Sequence, residues 1–389
     1  MAERSIVSPA KRDLRIDFFR GLALIFIFID HVPGNLLSSL TIGSFGFSDA
    51  AEVFIFLSGY SAAFIYGRAM RERGFLLVAA QIWNRCWQLY VAHIFLFVVF
   101  TAEVAYIAQR FQNPMFAEEL NVANFLEEPH VAVVMALLLR FQPTFMDILP
   151  LYISLLLLFP FILWTIGRNR WIVLALSVAL YCLQWWLNFD VPAYPAGQVW
   201  FFNPVAWQLL FVIGALIGHG GVGGGLAIPR GRVWTALALA AAAGCFLMGL
   251  SWKLANAWPV FPAILLDQIW PVDKTDLALI RLFNFLAIAY LAAVWVAPDQ
   301  PFLSTALARP VVLCGQHSLY VFCLSIFLCV IGQLVMVQFD YGWTARAAVN
   351  AGGIGIMIVT AWLLSWYKDA ERAAVRTNGI PAASDTRRV

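Results

Sequence analysis

Apolar residues gather into ten long runs along the chain: 16–32, 45–66, 75–107, 145–166, 171–187, 199–218, 233–250, 277–296, 311–337 and 348–366. Each approaches the length a helix needs to cross a hydrocarbon layer, where the backbone must satisfy its own polar groups. A shorter run, 131–139, falls below that length and predicts a re-entrant or interfacial helix. The third and ninth runs exceed the requirement, which predicts tilt or an extension beyond the bilayer. The fold class expected is an all-α integral membrane protein, a bundle of about ten transmembrane helices.

The polar positions between the runs set an orientation. Ten spans leave both termini on one side. With that side cytoplasmic, 19 of the 25 Lys and Arg lie inside, and only Arg110, Arg140, Lys253, Lys274, Arg281 and Arg346 lie outside. Cytoplasmic excess of basic residues is the arrangement membrane insertion favours, so both termini are expected in the cytoplasm. Three regions follow: a cytoplasmic segment 1–15, a membrane domain 16–367 and a basic tail 368–389. No small-residue cleavage site follows the first run, which is expected to remain as a helix.

Composition sharpens the class. The chain is 62% hydrophobic and 12% charged, against about 25% charged in soluble domains. Six cysteines show no CxxC spacing and lie in apolar runs, so neither a disulfide framework nor a metal site is expected. The glycine-rich stretch 220–225 lacks the GxxxxGK[ST] pattern of a phosphate loop and reads as a connector. Nothing marks a nucleic-acid partner. The outer segments 109–142, with Glu118, Glu119, Glu127 and Glu128, and 251–276 are long and polar, and they carry the content expected of a site.

Ionisable groups inside the runs each need a reason, since a charge at membrane depth costs about 2.5–3.5 kcal/mol on insertion scales. Arg20 and His31 stand eleven positions apart, roughly three turns, so they share one helix face about 16 Å apart. Taken singly, Arg20 reads equally well as snorkelling to lipid phosphate, and His31 as a hydrogen bond between helices. Their common face favours a functional pairing. Asp30 neighbours His31 but points about 100° away, which suits it poorly to orient the imidazole. Asp49 and Glu52, three apart at the outer end of the second run, are candidate orienting carboxylates, and Asp49 reads also as a helix cap. Ser58-Gly59 suits close helix packing. Further polar markers are Arg85, Asp147, Tyr152, Lys274, Arg281 and His317.

These residues resemble a known family. Arg20 and His31 match the R-x10-H signature of membrane-bound acyltransferases of the acyltransferase-3 group, and Val53 to Tyr60 (VFIFLSGY) is similar to that group's SG[FY] motif. More narrowly, the segments 15–21 (RIDFFRG), 45–52 (FGFSDAAE), 147–152 (DILPLY), 203–208 (NPVAWQ) and 317–320 (HSLY) resemble the OpgC branch, along nearly the whole chain.

The resemblance implies a membrane-bound O-acyltransferase with a cytoplasmic succinyl-CoA donor, no permanently bound cofactor, and a periplasmic glucan acceptor. By position it makes His31 the catalytic histidine and Arg20 the donor-side arginine. On that basis Arg15, Arg68 and Arg85 are expected beside Arg20 at the donor phosphates. His31, with Glu52, Asp49 and Asp30 near it, is expected to act as general base. Asp147, Tyr152, Lys274, Arg281 and His317 are expected on the substrate side, with Arg281 or Lys274 meeting the succinyl carboxylate. Two alternatives stay open: an O-acetyltransferase for another surface glycan or lipid-linked sugar, and a transporter of glycan or acyl metabolite. A second copy of the chain also stays open as a partner.

Overall fold

A computed structural model describes residues 13–222, 225–254 and 270–377. The expectations placed on 1–12, on most of 255–276 and on the end of the basic tail, including Arg4, Lys11, Arg12, Arg387 and Arg388, lie wholly or in part outside these residues.

Among the described residues the fold is all-helical, with a single isolated strand-type bridge between Pro192 and Val199. The principal helices are α1 Leu14–His31, α2 Ala50–Arg73, α3 Phe75–Arg110, the short α4 Pro129–Leu137, α5 Ile148–Ile166 and α6 Arg170–Leu187. They continue with α7 Pro204–Gly218, α8 Arg232–Lys253, α9 Leu279–Trp295, α10 Ala308–Gln316, α11 Ser318–Gln338 and α12 Trp343–Thr377. Eight of them are long and apolar enough to cross a membrane: α2, α3, α5, α6, α7, α8, α11 and α12. The other two expected spans are also helical. α1 carries Arg15, Asp17, Arg20 and Asp30 within 18 residues, and α9 has 17 residues.

Two expectations about long runs resolve differently. The third run is one helix of 36 residues, about 54 Å of rise, well beyond a hydrocarbon core. The ninth is not one helix. It breaks at His317, whose φ of −112° and ψ of 33° leave helical geometry, so α10 and α11 meet at a kink. α12 likewise runs through the boundary drawn at residue 367, because 368–377 is rich in Ala, Glu, Lys and Arg, all good helix formers.

Two seams hold the bundle at backbone distance. α2 lies along α7 with Gly59, Gly214 and Gly218 in the seam. A methyl at Gly59 would run into the Phe211 carbonyl, and methyls at Gly214 and Gly218 into those of Phe56 and Tyr60. α1 lies along α10 in the same way, with Gly21 against Val311 and Gly315 against Asp17. Small residues let membrane helices approach this closely and gain dispersion where apolar burial alone offers little. α1 thereby sits inside the bundle, its Leu24 and Phe28 fully buried. Past its end, Asn35 and Asn350 exchange side-chain amide hydrogen bonds of 2.9 Å each way, tying the following loop to α12. Large apolar side chains cover the outside, among them Leu76 and Trp186, each 81% exposed, as suits a membrane protein.

Candidate functional site

The site grows from the start of α2. Asp49 caps that helix by accepting from the Ala51 N–H at 2.9 Å, and Glu52 Oε2 accepts from the Asp49 N–H at 2.9 Å, a reciprocal capping box. The same two carboxylates anchor two cations. Arg281 of α9 donates through Nε to Glu52 Oε1 at 2.8 Å and through Nη2 to Asp49 Oδ2 at 3.1 Å. Lys274 Nζ lies 2.7 Å from Asp49 Oδ2. One turn from Arg281, Asn284 accepts from the Phe47 and Ser48 N–H groups and the Ser48 hydroxyl at 2.9–3.1 Å. α9 therefore grips the chain entering α2 through Arg281 and Asn284.

In front of this cluster opens a cavity of about 600 Å³. The end of α1, the starts of α2 and α5, and the loops around 121, 144, 194–202 and 274 enclose it. Its lining includes the ionisable side chains of His31, Asp30, Asp49, Asp147 and Lys274. It also includes the neutral Asn121, Gln142, Thr144, Gln198 and Thr275, with the rings of Phe145, Tyr194, Phe201 and Phe202.

His31 is held from its own helix. Its Nδ1 lies 2.6 Å from the Ile27 carbonyl, and because a carbonyl only accepts, Nδ1 carries the proton. The neutral ring then has its lone pair on Nε2, the form a general base requires. The ring of Phe145 packs edge-on against the imidazole at 4.4 Å between centroids. Asp30 accepts from the Thr41 hydroxyl at 2.8 Å.

The structure corrects the expected orienting carboxylate. Nδ1 of His31 is bound by the Ile27 carbonyl, while Glu52 is 0% exposed, stands behind Asp49 and uses both oxygens on Arg281 and the Asp49 N–H. Glu52 supports the wall and does not line the cavity. Arg281 also lies behind the wall, 7% exposed. Tyr152 sits deeper in α5 between the rings of Phe54 and Phe211, at 6.4 and 6.5 Å.

The other half of α1 faces a second polar region. Arg20 donates through Nη2 to the Leu57 carbonyl at 3.2 Å and to the Ser61 hydroxyl at 2.9 Å, bridging α1 to α2. Arg15 pairs with Asp13 at 2.7 Å and donates to the Val296 carbonyl at 2.9 Å. Arg68 is exposed and paired with Glu72, and Arg85 bonds Gln88, each within its own helix. The four arginines thus make separate contacts. His317 belongs to this level too, since neighbouring Gly315 abuts Asp17 and Gln316 Nε2 reaches Asp17 at 3.5 Å. Its Nε2 lies 2.8 Å from the Ser365 hydroxyl of α12. His317 therefore stands at the level of Asp17, about four turns of α1 from His31, and does not line the cavity that holds His31.

Several lining residues had no signal strong enough to find them. Asn121, Gln142, Thr144, Gln198 and Thr275 are neutral, and a search for charges out of place passes over them. The weak signal was segment length, because Asn121 comes from the long outer segment 109–142 and Thr275 from 251–276. The hairpin carrying Tyr194, Gln198 and Phe201 was hidden at the edge of an apolar run.

A family model described as OpgC protein matches residues 12–369. No curated protein and no solved structure gives a match.

Proposed function

The chain belongs to the OpgC family, which carries an acyltransferase function toward glucan, and from that membership we propose a reaction in full. A succinyl group passes from cytoplasmic succinyl-CoA to a hydroxyl of a periplasmic glucan, with His31 as general base. The observation that carries this reading is the set state of His31: Nδ1 bound to Ile27, and the ring in the wall of the cavity.

In the proposed step, the glucan hydroxyl adds to the thioester carbonyl while His31 Nε2 takes its proton. The carbon–sulfur bond then breaks, and the imidazolium returns that proton to the departing thiolate, leaving a glucan ester and free CoA. Asp49 favours the transient imidazolium by charge, and Lys274 opposes it. Arg20, three turns back along the same helix, suits the donor's phosphate end, with Arg15 near the mouth. The donor arm would then lie along α1.

One observation favours a second reading, transfer of a neutral acetyl group. Both cations expected to meet a succinyl carboxylate are already ion-paired, Arg281 with Glu52 and Asp49, and Lys274 with Asp49. Detergent-purified protein, given labelled succinyl-CoA and acetyl-CoA in competition with a β-glucan acceptor, tests both readings. Succinyl ester on glucan with wild type and none with His31→Ala supports the proposal. Acetyl ester alone selects the second reading, and ester formation by a folded His31→Ala removes His31 as base.

A further inference from the structure

The cavity lining combines an ionisable set with a neutral set, and the neutral set is built as a binding surface. Asn121 uses one amide N–H on the Gln142 carbonyl at 3.1 Å, and Gln142 uses one of its own on the Leu139 carbonyl at 2.9 Å. Each side chain keeps its oxygen, an acceptor for hydroxyl protons, and one further N–H. The ionisable set also offers oxygen, from Asp30, Asp49 and Asp147, and its cation Lys274 is balanced by Asp49. A cavity so rich in acceptors repels a polyanion and suits a neutral ligand that brings many donors, a polyhydroxyl compound.

The rings complete the pattern. Tyr194 and Phe201 stand on a hairpin pinned at both ends. Within it, the Ala193 N–H bonds the Gln198 carbonyl and the Trp200 N–H the Val191 carbonyl, both at 2.8 Å. At its base, Asn203 Nδ2 reaches the Phe189 carbonyl at 2.7 Å. At its tip, the Tyr194 N–H bonds the Arg140 carbonyl at 2.9 Å, and its ring packs edge-on against buried Phe141 at 5.4 Å. Phe201 lines the cavity and is 46% exposed overall, with Lys274 Nζ 5.6 Å from its ring centroid. A pinned aromatic ring is already ordered, so it offers a flat apolar face with little further loss of freedom on binding. The faces of a sugar ring present C–H groups and its rim presents hydroxyls, which matches a floor of rings with a border of amides.

We infer that Tyr194 and Phe201 form a stacking floor for a neutral sugar unit of the acceptor, bordered by Asn121, Gln142 and Gln198. The inference rests on the proposed function and adds to it where the acceptor sits: on the hairpin that lines the same cavity as His31.

Steady-state transfer by the detergent-purified full chain tests it, with β-glucan oligosaccharide varied against labelled acyl-CoA. Tyr194→Ala and Phe201→Ala should each raise the KM for glucan about tenfold, equivalent to ~1.4 kcal/mol, while the donor KM moves less than about twofold. Tyr194→Phe and Phe201→Tyr should restore the glucan KM. Gln198→Ala alters an exposed side chain and should raise it about threefold, which keeps the test alive if an alanine variant misfolds. An unchanged glucan KM in folded variants, with only a lowered Tm, would make the rings membrane-interface anchors and overturn the inference. An equal rise in donor KM would overturn it too. If wild type acylates no glucan, the parent reading fails by itself, and oligosaccharide binding followed by tryptophan fluorescence decides. Binding weakened by Tyr194→Ala sustains the floor, and binding unaffected by it, or absent in wild type, refutes it.

Discussion

The ring of Phe145 meets the imidazole of His31 edge-on, with centroids 4.4 Å apart and planes at 65°. Phe145 makes this contact from a left-handed backbone, φ 75°, which a bulky residue adopts at a cost of about 1–3 kcal/mol. The surrounding strap holds it there: the Thr144 N–H bonds the Leu120 carbonyl at 3.1 Å, and the Thr144 hydroxyl bonds that of Glu119 at 3.1 Å. The contact fixes the imidazole on the side its own helix does not. Phe145→Ala should lower kcat about tenfold, with the glucan KM nearly constant, and Phe145→Gly should do the same. Glycine tolerates the backbone, so Phe145→Gly should melt at or above Phe145→Ala although it removes more side chain. Kinetics and thermal unfolding on the same preparations check both halves.

The charge cluster predicts an order of stabilities. Removing Arg281 leaves Glu52 buried without its cation, a loss of about 3–5 kcal/mol for a broken buried pair. Lys274 keeps 30% of its side chain exposed, and Asp49 retains Arg281 when Lys274 is gone. Arg281→Met should therefore lower the Tm well below that of Lys274→Met, measured by thermal unfolding in detergent. Equal effects would mean that the cluster acts only through the cavity surface.

At the other end of α1, the four arginines should separate by their contacts. Arg20→Gln should raise the donor KM at least about tenfold, as loss of a charge-assisted contact to phosphate would. Arg68→Ala and Arg85→Ala, whose bonds stay within their own helices, should change it by less than about threefold. Acyl-CoA saturation curves for the three variants decide the ranking.

The glycine seam makes a prediction about packing. Gly59→Ala drives a methyl into the Phe211 carbonyl, a backbone atom that no rotamer change can move aside, so the variant should lose folded yield or several degrees of Tm. Gly355→Ala on α12 meets nothing within 4 Å and should be neutral or slightly stabilising. Size-exclusion profiles and Tm distinguish the two.

Outside the spans, burial pushes the Asp276 carboxyl above its ordinary range, against a hydrogen bond from Asn203 Nδ2 at 2.9 Å. The folded chain then holds this proton more firmly than the unfolded chain. Stability contributed here is greatest below the ordinary carboxylate pKa and falls as pH rises through the folded value. Asp276→Asn should flatten that fall, seen as a Tm less sensitive to pH just above the ordinary carboxylate range.

The helices were legible because membrane burial writes long apolar runs: each of the ten runs is largely helical, though the ninth is split and the last helix extends to Thr377. The kink at His317 was not legible, since Gln316-His317-Ser318 carries neither proline nor a charge to mark it. His31, Asp30, Asp49, Asp147 and Lys274 stand out in the sequence because ionisable groups are conspicuous in apolar surroundings, and all five line one cavity. The same logic misassigned Glu52, whose charge serves a cap and an ion pair. The partner of His31 was invisible for a simpler reason: it is the backbone carbonyl of Ile27, which every residue type possesses.

The two glycine seams bear on how one protein can serve both faces of a membrane. Carriers that alternate between sides rock one rigid half against another, and such rocking needs an interface that can slide. α1 on α10 and α2 on α7 interlock carbonyl against glycine, so a shift of even one residue would drive side chains into backbone. The helix bearing Arg20 and His31 is clamped in that lock. On the proposed reaction, traffic between the two ends would belong to the travelling molecules, threading past a stationary axle.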